Sequence, residues 1–101
     1  MQPTDDDIFI TVADIIGEAL RIPTAQIKRE SRLFQDFGAE SIDIIDIRFR
    51  IEHAFGFKID HEELIRSLGE GLSDREVQEQ MTVERLVMYI KNRLQQHVTR
   101  L

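Results

Sequence analysis

The sequence lacks several features that would assign it to a functional class. It contains no cysteine, which excludes disulfide bonds and a thiol nucleophile among its own side chains. No apolar run approaches the length of a membrane-spanning helix, so we expect no membrane insertion. The first ten residues, MQPTDDDIFI, have no basic segment followed by an apolar one and predict no signal peptide. These absences favour a cytoplasmic protein.

An excess of basic residues is also missing. The chain has 13 Lys and Arg against 19 Asp and Glu, which gives a net charge of −6. Contacts with phosphates dominate nucleic-acid affinity, so an acidic chain without a basic stripe is a poor candidate for that role. An acidic surface instead favours partners with basic patches. With 42% hydrophobic and 32% charged residues, the 101 residues are typical of one globular domain, expected to span residues 1–101.

Apolar spacing predicts an all-α fold. Strict alternation occurs only in IDIRFRI, inside a longer run without Gly or Pro that also fits a helix. Thr4 is a good N-cap, and it predicts a first helix from about Asp5 to Leu20 that Pro23 prevents from continuing. We expect residues 24–40 to form a long ordered loop. Three apolar residues would anchor this loop to the core: Ile27, Leu33 and Phe34.

Four further helices are predicted after the loop. Their expected bounds are Ser41 to about Phe55, ended by Gly56; roughly 61–68, capped by Asp60; about 74–80, capped by Ser73 with Glu76; and a last helix capped by Thr82 that runs to about Gln96. The glycines of GEG, residues 69–71, separate the third helix from the fourth. The expected result is a small helical bundle with one long loop.

The second helix carries two apolar stripes. At 100° per residue, one stripe faces the core and comprises Ile44, Ile47, Ile51 and Phe55. The other stripe comprises Ile42, Ile45 and Phe49 and borders the polar face. This second stripe is either additional core, packed against the loop or a later helix, or an exposed surface suited to partner docking.

Ser41 opens this helix within the segment GAESID. It is either an N-cap or a site of covalent attachment. The sequence shows no serine–base–acid arrangement and no nucleophile elbow, so we predict no catalytic residue. An attachment site should lie at a loop-to-helix junction with small neighbours, here Gly38 and Ala39, and a helix N-terminus favours an attached phosphodiester. The other serines lack this combination of neighbours.

The segment DFGAESIDIIDIRFRIEHAFGFKI resembles the signature of the acyl carrier proteins: D-x-G-x-[DE]-S, an apolar residue, an acid and then an amphipathic helix. The resemblance covers nearly the whole chain, including the S-R-L-F turn and the T-V-x-x-L start of the last helix. It implies a carrier rather than an enzyme. It also implies that Ser41 carries 4′-phosphopantetheine, whose thiol holds an acyl chain as a thioester.

The same resemblance implies a docking surface on the second helix. Glu40 stands where the family usually has Asp, and the remaining positions that such carriers use to dock enzymes are Ile42, Asp43, Asp46, Phe49 and Glu52. The implied partners are a phosphopantetheinyl transferase, acyl synthases and acyltransferases. The carrier itself is expected to be a monomer. The sequence departs from the family at Arg48, Arg50, His53 and Asp60, which suggests a narrower set of partners.

An insertion follows the signature. Ile59 and Thr82 are separated by 22 residues, including RSLGEGLSDREVQEQM, where an ordinary carrier has one short helix. The insert is either a tolerated surface elaboration or a folded segment that covers core through Leu68, Leu72, Val77 and Met81. This layout is similar to the very-long-chain acyl carriers of lipid A synthesis. In such a carrier, the insert would either reshape the space for the acyl chain or dock an acyltransferase.

Three other functions compete with this one. A discrete peptidyl or polyketide carrier would keep the mechanism and change the load. A helical interaction module without a cofactor would make Ser41 a cap. Calcium binding is disfavoured, because DDD and HEE lack the spaced D-x-D-x-D-G ligand loop, and no metal site is predicted.

Overall fold

The first helix of the computed structural model, which describes residues 3–99, begins where its cap predicts. Helix α1 spans Asp5–Leu20. The Asp7 N–H donates to Thr4 Oγ1 at 3.1 Å, and the Thr4 N–H donates to Asp7 Oδ2 at 3.1 Å. This reciprocal capping box satisfies donors that a helix start leaves open and confirms Thr4 as the cap.

The remaining helices confirm the predicted all-α architecture. Their bounds are α2, Ser41–Phe55; α3, His61–Leu68; α4, Asp74–Gln80; and α5, Val83–Thr99. The last helix therefore extends beyond the predicted end at Gln96. A short 3₁₀ turn, Thr24–Gln26, lies in the long loop. Within residues 3–99, the only strand-like pairing is an isolated bridge between Arg32 and Thr82.

Side-chain caps and one left-handed glycine set the helix ends of the second half. Gly56 adopts φ 78° after α2, a conformation that glycine tolerates better than other residues. The predicted caps each accept a backbone N–H: Asp60 from Glu62 at 3.0 Å, Ser73 from Glu76 at 3.2 Å and Thr82 from Arg85 at 3.2 Å. The backbone N–H and the hydroxyl of Ser73 hold the pKa of Glu76 below its usual value.

The core lies where α1 packs against α2 and α5. The predicted apolar faces of these helices supply most of it, including the completely buried Val12, Ile16 and Ile90. The insert closes one side, because Leu68 and Met81 are buried and Leu72 and Val77 are partly buried against the core. The insert is therefore a folded part of the domain core rather than a surface elaboration.

Backbone hydrogen bonds hold the long loop against the segment that joins α4 to α5. The Leu33 N–H donates to the Met81 carbonyl at 3.0 Å, the Val83 N–H to the Ser31 carbonyl at 3.0 Å, and the Glu84 N–H to the Arg29 carbonyl at 2.8 Å. Burial of Ile27 and Leu33, together with partial burial of Phe34, confirms the three predicted anchors.

Arg29 links this loop to two helices. Its guanidinium donates to Asp6 of α1 at 2.7 Å and to Glu84 of α5 at 3.0 Å, and it lies 4.8 Å from the centre of the Phe9 ring. The hydrogen bond to Glu84 is the main cause that raises the pKa of Arg29. Among residues 3–99, no helix is both long and apolar enough to cross a bilayer.

Candidate functional site

A tight turn delivers the chain to the start of α2. The Gly38 N–H donates to the Phe34 carbonyl and the Ala39 N–H to the Leu33 carbonyl, each at 3.0 Å, while Gly38 adopts φ 67°. Asp36 closes the beginning of the turn by accepting the Arg32 N–H at 2.7 Å, and this bond holds the pKa of Asp36 below its usual value. Because Leu33 is buried, the turn has a fixed position relative to the core.

Ser41 is the first residue of α2 and is exposed. The N-cap is Glu40, whose N–H donates to Asp43 Oδ2 at 2.8 Å. The interpretation of Ser41 as the N-cap is therefore wrong. Its hydroxyl makes no hydrogen bond with any residue in the described part of the chain, which leaves the oxygen accessible for modification.

The other three serines are each committed to a local hydrogen bond. Ser31 is buried and its Oγ accepts the Lys28 N–H at 3.0 Å. The Ser67 hydroxyl donates to the Leu64 carbonyl. Ser73 caps α4. Among the four serines, Ser41 alone combines exposure with a hydroxyl that the described structure leaves unbound.

The second apolar stripe of α2 faces away from the core. Ile42 is 70% exposed, Ile45 42% and Phe49 57%, whereas Ile44, Ile47 and Ile51 are buried. The stripe is therefore an exposed surface, not additional core. We define the docking surface as the six residues to which the family resemblance assigns this role: Glu40, Ile42, Asp43, Asp46, Phe49 and Glu52.

The acids of the docking surface differ in whether they already have an ion-pair partner. Asp46 accepts a hydrogen bond from Arg50 Nε at 3.1 Å, and Arg50 also contacts Glu18 of α1 at 3.3 Å. Within residues 3–99, neither Glu40 nor Asp43 has an ion-pair partner. The uncompensated negative charge of the surface therefore lies beside Ser41.

Glu52 has a structural contact that the sequence pattern did not reveal. Its Oε2 accepts the N–H of Ile59 at 2.7 Å, and Ile59 is buried. This bond joins α2 to the segment that leads into α3. One oxygen of Glu52 is therefore engaged within the protein and is not free for a partner.

Arg48 is half-buried between α2 and the same segment. Its Nη1 donates to the Ile59 carbonyl at 3.3 Å, and its guanidinium carbon lies 5.0 Å from the centre of the Phe49 ring. Its Nε is buried and has no hydrogen-bond partner among residues 3–99. Arg48 also lines a small cavity of about 10 Å³ inside the core.

Ser41 borders an open groove of about 360 Å³ between α2 and the insert helices α3 and α4. The groove also contains His61, but no hydrogen bond joins His61 to Ser41. No group of three or more potential metal-ligating side chains gathers anywhere in residues 3–99. The arrangement offers an accessible hydroxyl beside a groove that both apolar and polar side chains line.

Comparisons with known proteins agree with this arrangement. The family model described as "Phosphopantetheine attachment site" matches residues 11–70. The acyl carrier protein of Thermotoga maritima is 32% identical over 89 residues, which cover 88% of this chain and 94% of the relative. The chain belongs to the acyl carrier protein family. It is a phosphopantetheine-bearing carrier and not an enzyme, and it interacts with a phosphopantetheinyl transferase and with acyl-handling enzymes.

The carrier is also similar to proteins named acyl carrier protein AcpXL. The protein of Rhizobium meliloti is 43% identical over 63 residues, which cover 62% of this chain and 66% of the relative. The protein of Brucella melitensis has the same identity over 63 residues, covering 62% of this chain and 68% of the relative.

The residues around Ser41 fit the prosthetic group. A phosphodiester on the exposed hydroxyl would lie at the N-terminus of α2, where unpaired N–H groups and the helix dipole favour an anion. Asp43 turns its carboxylate to the Glu40 N–H, and Gly38 adds no side chain to the approach. The reactive sulfur would belong to the group, consistent with a chain that has no cysteine.

The bond between Glu52 and Ile59 gives a prediction about stability. Glu52→Ala should lower the free energy of unfolding by about 1–3 kcal/mol, because it leaves the N–H of a buried residue without its acceptor. Glu52→Gln retains an acceptor oxygen and should lose clearly less. Urea denaturation of both variants measures the difference. Equal losses would show that the charge of Glu52, rather than its hydrogen bond, stabilises the fold.

Proposed function

We propose that Ser41 is the attachment site and that the carrier holds very long acyl chains for a lipid pathway such as lipid A synthesis. The observation that carries the attachment site is the exposed, unbonded Ser41 hydroxyl at the first turn of α2. When bound, phosphopantetheine supplies a thiol that holds the acyl group as a thioester. The chain's own residues present the hydroxyl, provide the groove beside it and receive partner enzymes.

Two observations support the very-long-chain pathway. The similarity to AcpXL proteins reaches 43% identity, higher than the 32% identity to the Thermotoga maritima carrier, although it covers a smaller share of the chain. In addition, the insert places α4 on the groove beside Ser41. Both features match the resemblance to very-long-chain carriers.

We also propose that the docking surface receives basic partners around the Ser41 hydroxyl. Ile42 and Phe49 offer exposed apolar contacts, and Glu40 and Asp43 offer uncompensated charge. Asp46 contributes less charge, because Arg50 already pairs with it. One oxygen of Glu52 and one of Asp43 each accept a backbone N–H, which leaves the second oxygen of each for a partner. Proximity of this surface to Ser41 suits a transferase that must reach the hydroxyl. The proposal includes a monomeric carrier in the cytoplasm.

Ser41→Ala should abolish attachment of phosphopantetheine while leaving the fold intact. Its effect on the free energy of unfolding should stay within about 0.5 kcal/mol, because the hydroxyl makes no bond that the substitution would remove. Intact mass after incubation with a phosphopantetheinyl transferase and coenzyme A measures the attachment.

Ser67→Ala is the matched control, because Ser67 is also exposed and lies within the same family match. It should gain one phosphopantetheine mass, as the wild type does. A Ser41→Ala protein that still gains this mass would refute Ser41 as the attachment site.

Asp43→Lys should slow loading by the transferase about tenfold, because it replaces an unpaired acid of the docking surface with a cation. The wild-type rate should fall as salt is raised, since exposed charges are screened. Initial rates of holo-protein formation at several salt concentrations measure both effects.

Glu30→Lys makes the same charge change at an exposed residue of the long loop and should leave the rate within about twofold of the wild type, since screening confines the effect of an exposed charge. Equal slowing by the two variants would point to net charge, and unchanged rates in Asp43→Lys would remove the electrostatic role of the docking surface.

A further inference from the structure

We infer that the end of α2 farthest from Ser41 selects partners with an acidic contact surface, and that Lys58 is the residue that makes this selection. The inference rests on the proposed function in one respect, because it takes an acyl-handling enzyme to dock on α2. It goes further by stating the chemistry of that enzyme and by giving a role to a residue outside the docking surface.

Four side chains form this end of the helix, and we call them the distal patch: Phe49, His53, Phe57 and Lys58. They line an open depression of about 490 Å³, together with Glu52 and Gly56. Gly56, at φ 78°, turns the chain at the end of α2, so that Phe57 and Lys58 lie beside the helix. The patch therefore combines two aromatic rings with two basic side chains.

Both aromatic rings of the distal patch are held from within the protein. The guanidinium carbon of Arg48 lies 5.0 Å from the centre of the Phe49 ring, and that of Arg93 lies 4.6 Å from the centre of the Phe57 ring. Phe49 is nevertheless 57% exposed, and Phe57 is only partly buried. Each ring thus offers apolar surface in a fixed position, which a partner can cover without first ordering the ring.

The backbone that carries Lys58 is also fixed, because the next residue is bonded through both of its polar groups. The Ile59 N–H donates to Glu52 Oε2 at 2.7 Å, and the Ile59 carbonyl accepts from Arg48 Nη1 at 3.3 Å. The side chain of Lys58 is exposed and has no ion-pair partner among the described residues. Lys58 therefore presents an unpaired cation from a fixed base.

The other basic side chains near this end of α2 have an explanation within the protein. Arg50 pairs with Asp46 and Glu18, and Arg48 is bonded to the Ile59 carbonyl. His53 lies in the last turn of α2, where the helix dipole favours a cation. Lys58 lies beyond the helix end, so neither an ion pair nor the dipole accounts for it.

The two ends of α2 therefore carry uncompensated charge of opposite sign. Glu40 and Asp43 supply the negative end beside Ser41, and Lys58 supplies the positive end. The 15 residues of α2 extend over about 22 Å, whereas exposed charges are screened over about 8 Å at physiological salt. A partner consequently meets each end separately. One that is basic throughout is repelled at Lys58, whereas one with an acid there matches both ends.

The occupant that fits is the enzyme that takes the acyl group from the carrier, contacting the distal patch through an Asp or Glu beside an apolar side chain. The carboxylate pairs with Lys58, the His53 ring can donate an N–H to it, and the apolar side chain covers Phe49. A second copy of this chain or an anionic membrane fits less well, because the net charge of −6 repels both.

A carbodiimide tests the contact, because it joins a lysine amine directly to a carboxylate that touches it. The probe is the acyltransferase purified from the carrier's own cells by its removal of the acyl group from the loaded carrier. Digestion and mass spectrometry should find Lys58 joined to an Asp or Glu of the enzyme. Lys28, an exposed lysine of the long loop, should not be joined to it.

Three results would overturn the inference: no link at Lys58, equal links at Lys58 and Lys28, or a link from Lys58 only to a second carrier. The last would assign the distal patch to a dimer. Sedimentation with phosphatidylglycerol vesicles tests the remaining occupant. Binding that Lys58→Glu removes would assign the patch to a membrane and would equally overturn the inference.

Kinetics with the same acyltransferase test selection. Lys58→Glu should raise KM for the loaded carrier about fivefold with kcat nearly unchanged, because it removes a contact away from the reacting atoms. Lys58→Arg, which keeps the cation, should behave as the wild type. Lys28→Glu makes the same charge change elsewhere and should stay within about twofold of the wild type. Equal effects of the two reversals would point to net charge and refute selection by Lys58.

Loading by the phosphopantetheinyl transferase separates the two levels. Lys58→Glu should be loaded within about twofold of the wild-type rate, because Ser41 lies more than one screening length away. A wild-type carrier that gains no phosphopantetheine or no acyl group would refute the proposed function and this inference with it. A loaded carrier whose acyl transfer is indifferent to Lys58→Glu would refute the inference alone.

Discussion

Backbone pairing between residues 29–33 and 81–84 is the constraint on which both the proposed attachment site and the insert depend. Three hydrogen bonds of 2.8–3.0 Å join these segments. On one side they fix Leu33, to whose carbonyl the turn before Ser41 is bonded. On the other side they fix Met81, at the end of the insert. One set of bonds therefore positions the Ser41 hydroxyl relative to the helices that face it.

A second feature on which function depends is helix α2, which is apolar on two faces. One face is buried in the core, and the other presents Ile42, Ile45 and Phe49 to solvent. Exposed apolar side chains on a small domain are typical of a surface that another molecule covers. Within this stripe, Ile42 and Phe49 belong to the docking surface defined above, whereas Ile45 lines the groove. The proposed docking surface and the groove beside Ser41 are therefore adjacent surfaces of one helix.

The sequence predicts well those features that depend on neighbouring residues. The first four helices have the predicted bounds, because Thr4, Gly56, Asp60 and Ser73 act through local capping geometry. Ser41 could be singled out from its small neighbours and its position before an amphipathic helix. The choice between an exposed and a buried second stripe could not be made, because it depends on which distant segment packs there.

Other features depend on contacts that no local pattern encodes. The bond from Ile59 to Glu52 assigns a structural contact to a residue that the family resemblance marks for docking. Glu40 rather than Ser41 is the N-cap, a position where glutamate is not among the preferred residues. Arg48 stood out as a departure from the family, but its place at the core cavity appears only when α2, α3 and α5 are assembled.

The most direct test of the central claim is mass spectrometry of the carrier isolated from its own cells, with digestion to place the modification and to identify its load. The account predicts one phosphopantetheine on the peptide that contains Ser41, bearing acyl chains of very long length. Modification of a different serine would contradict the assigned site. An aminoacyl load, or only short acyl chains on a correctly modified Ser41, would contradict the proposed pathway.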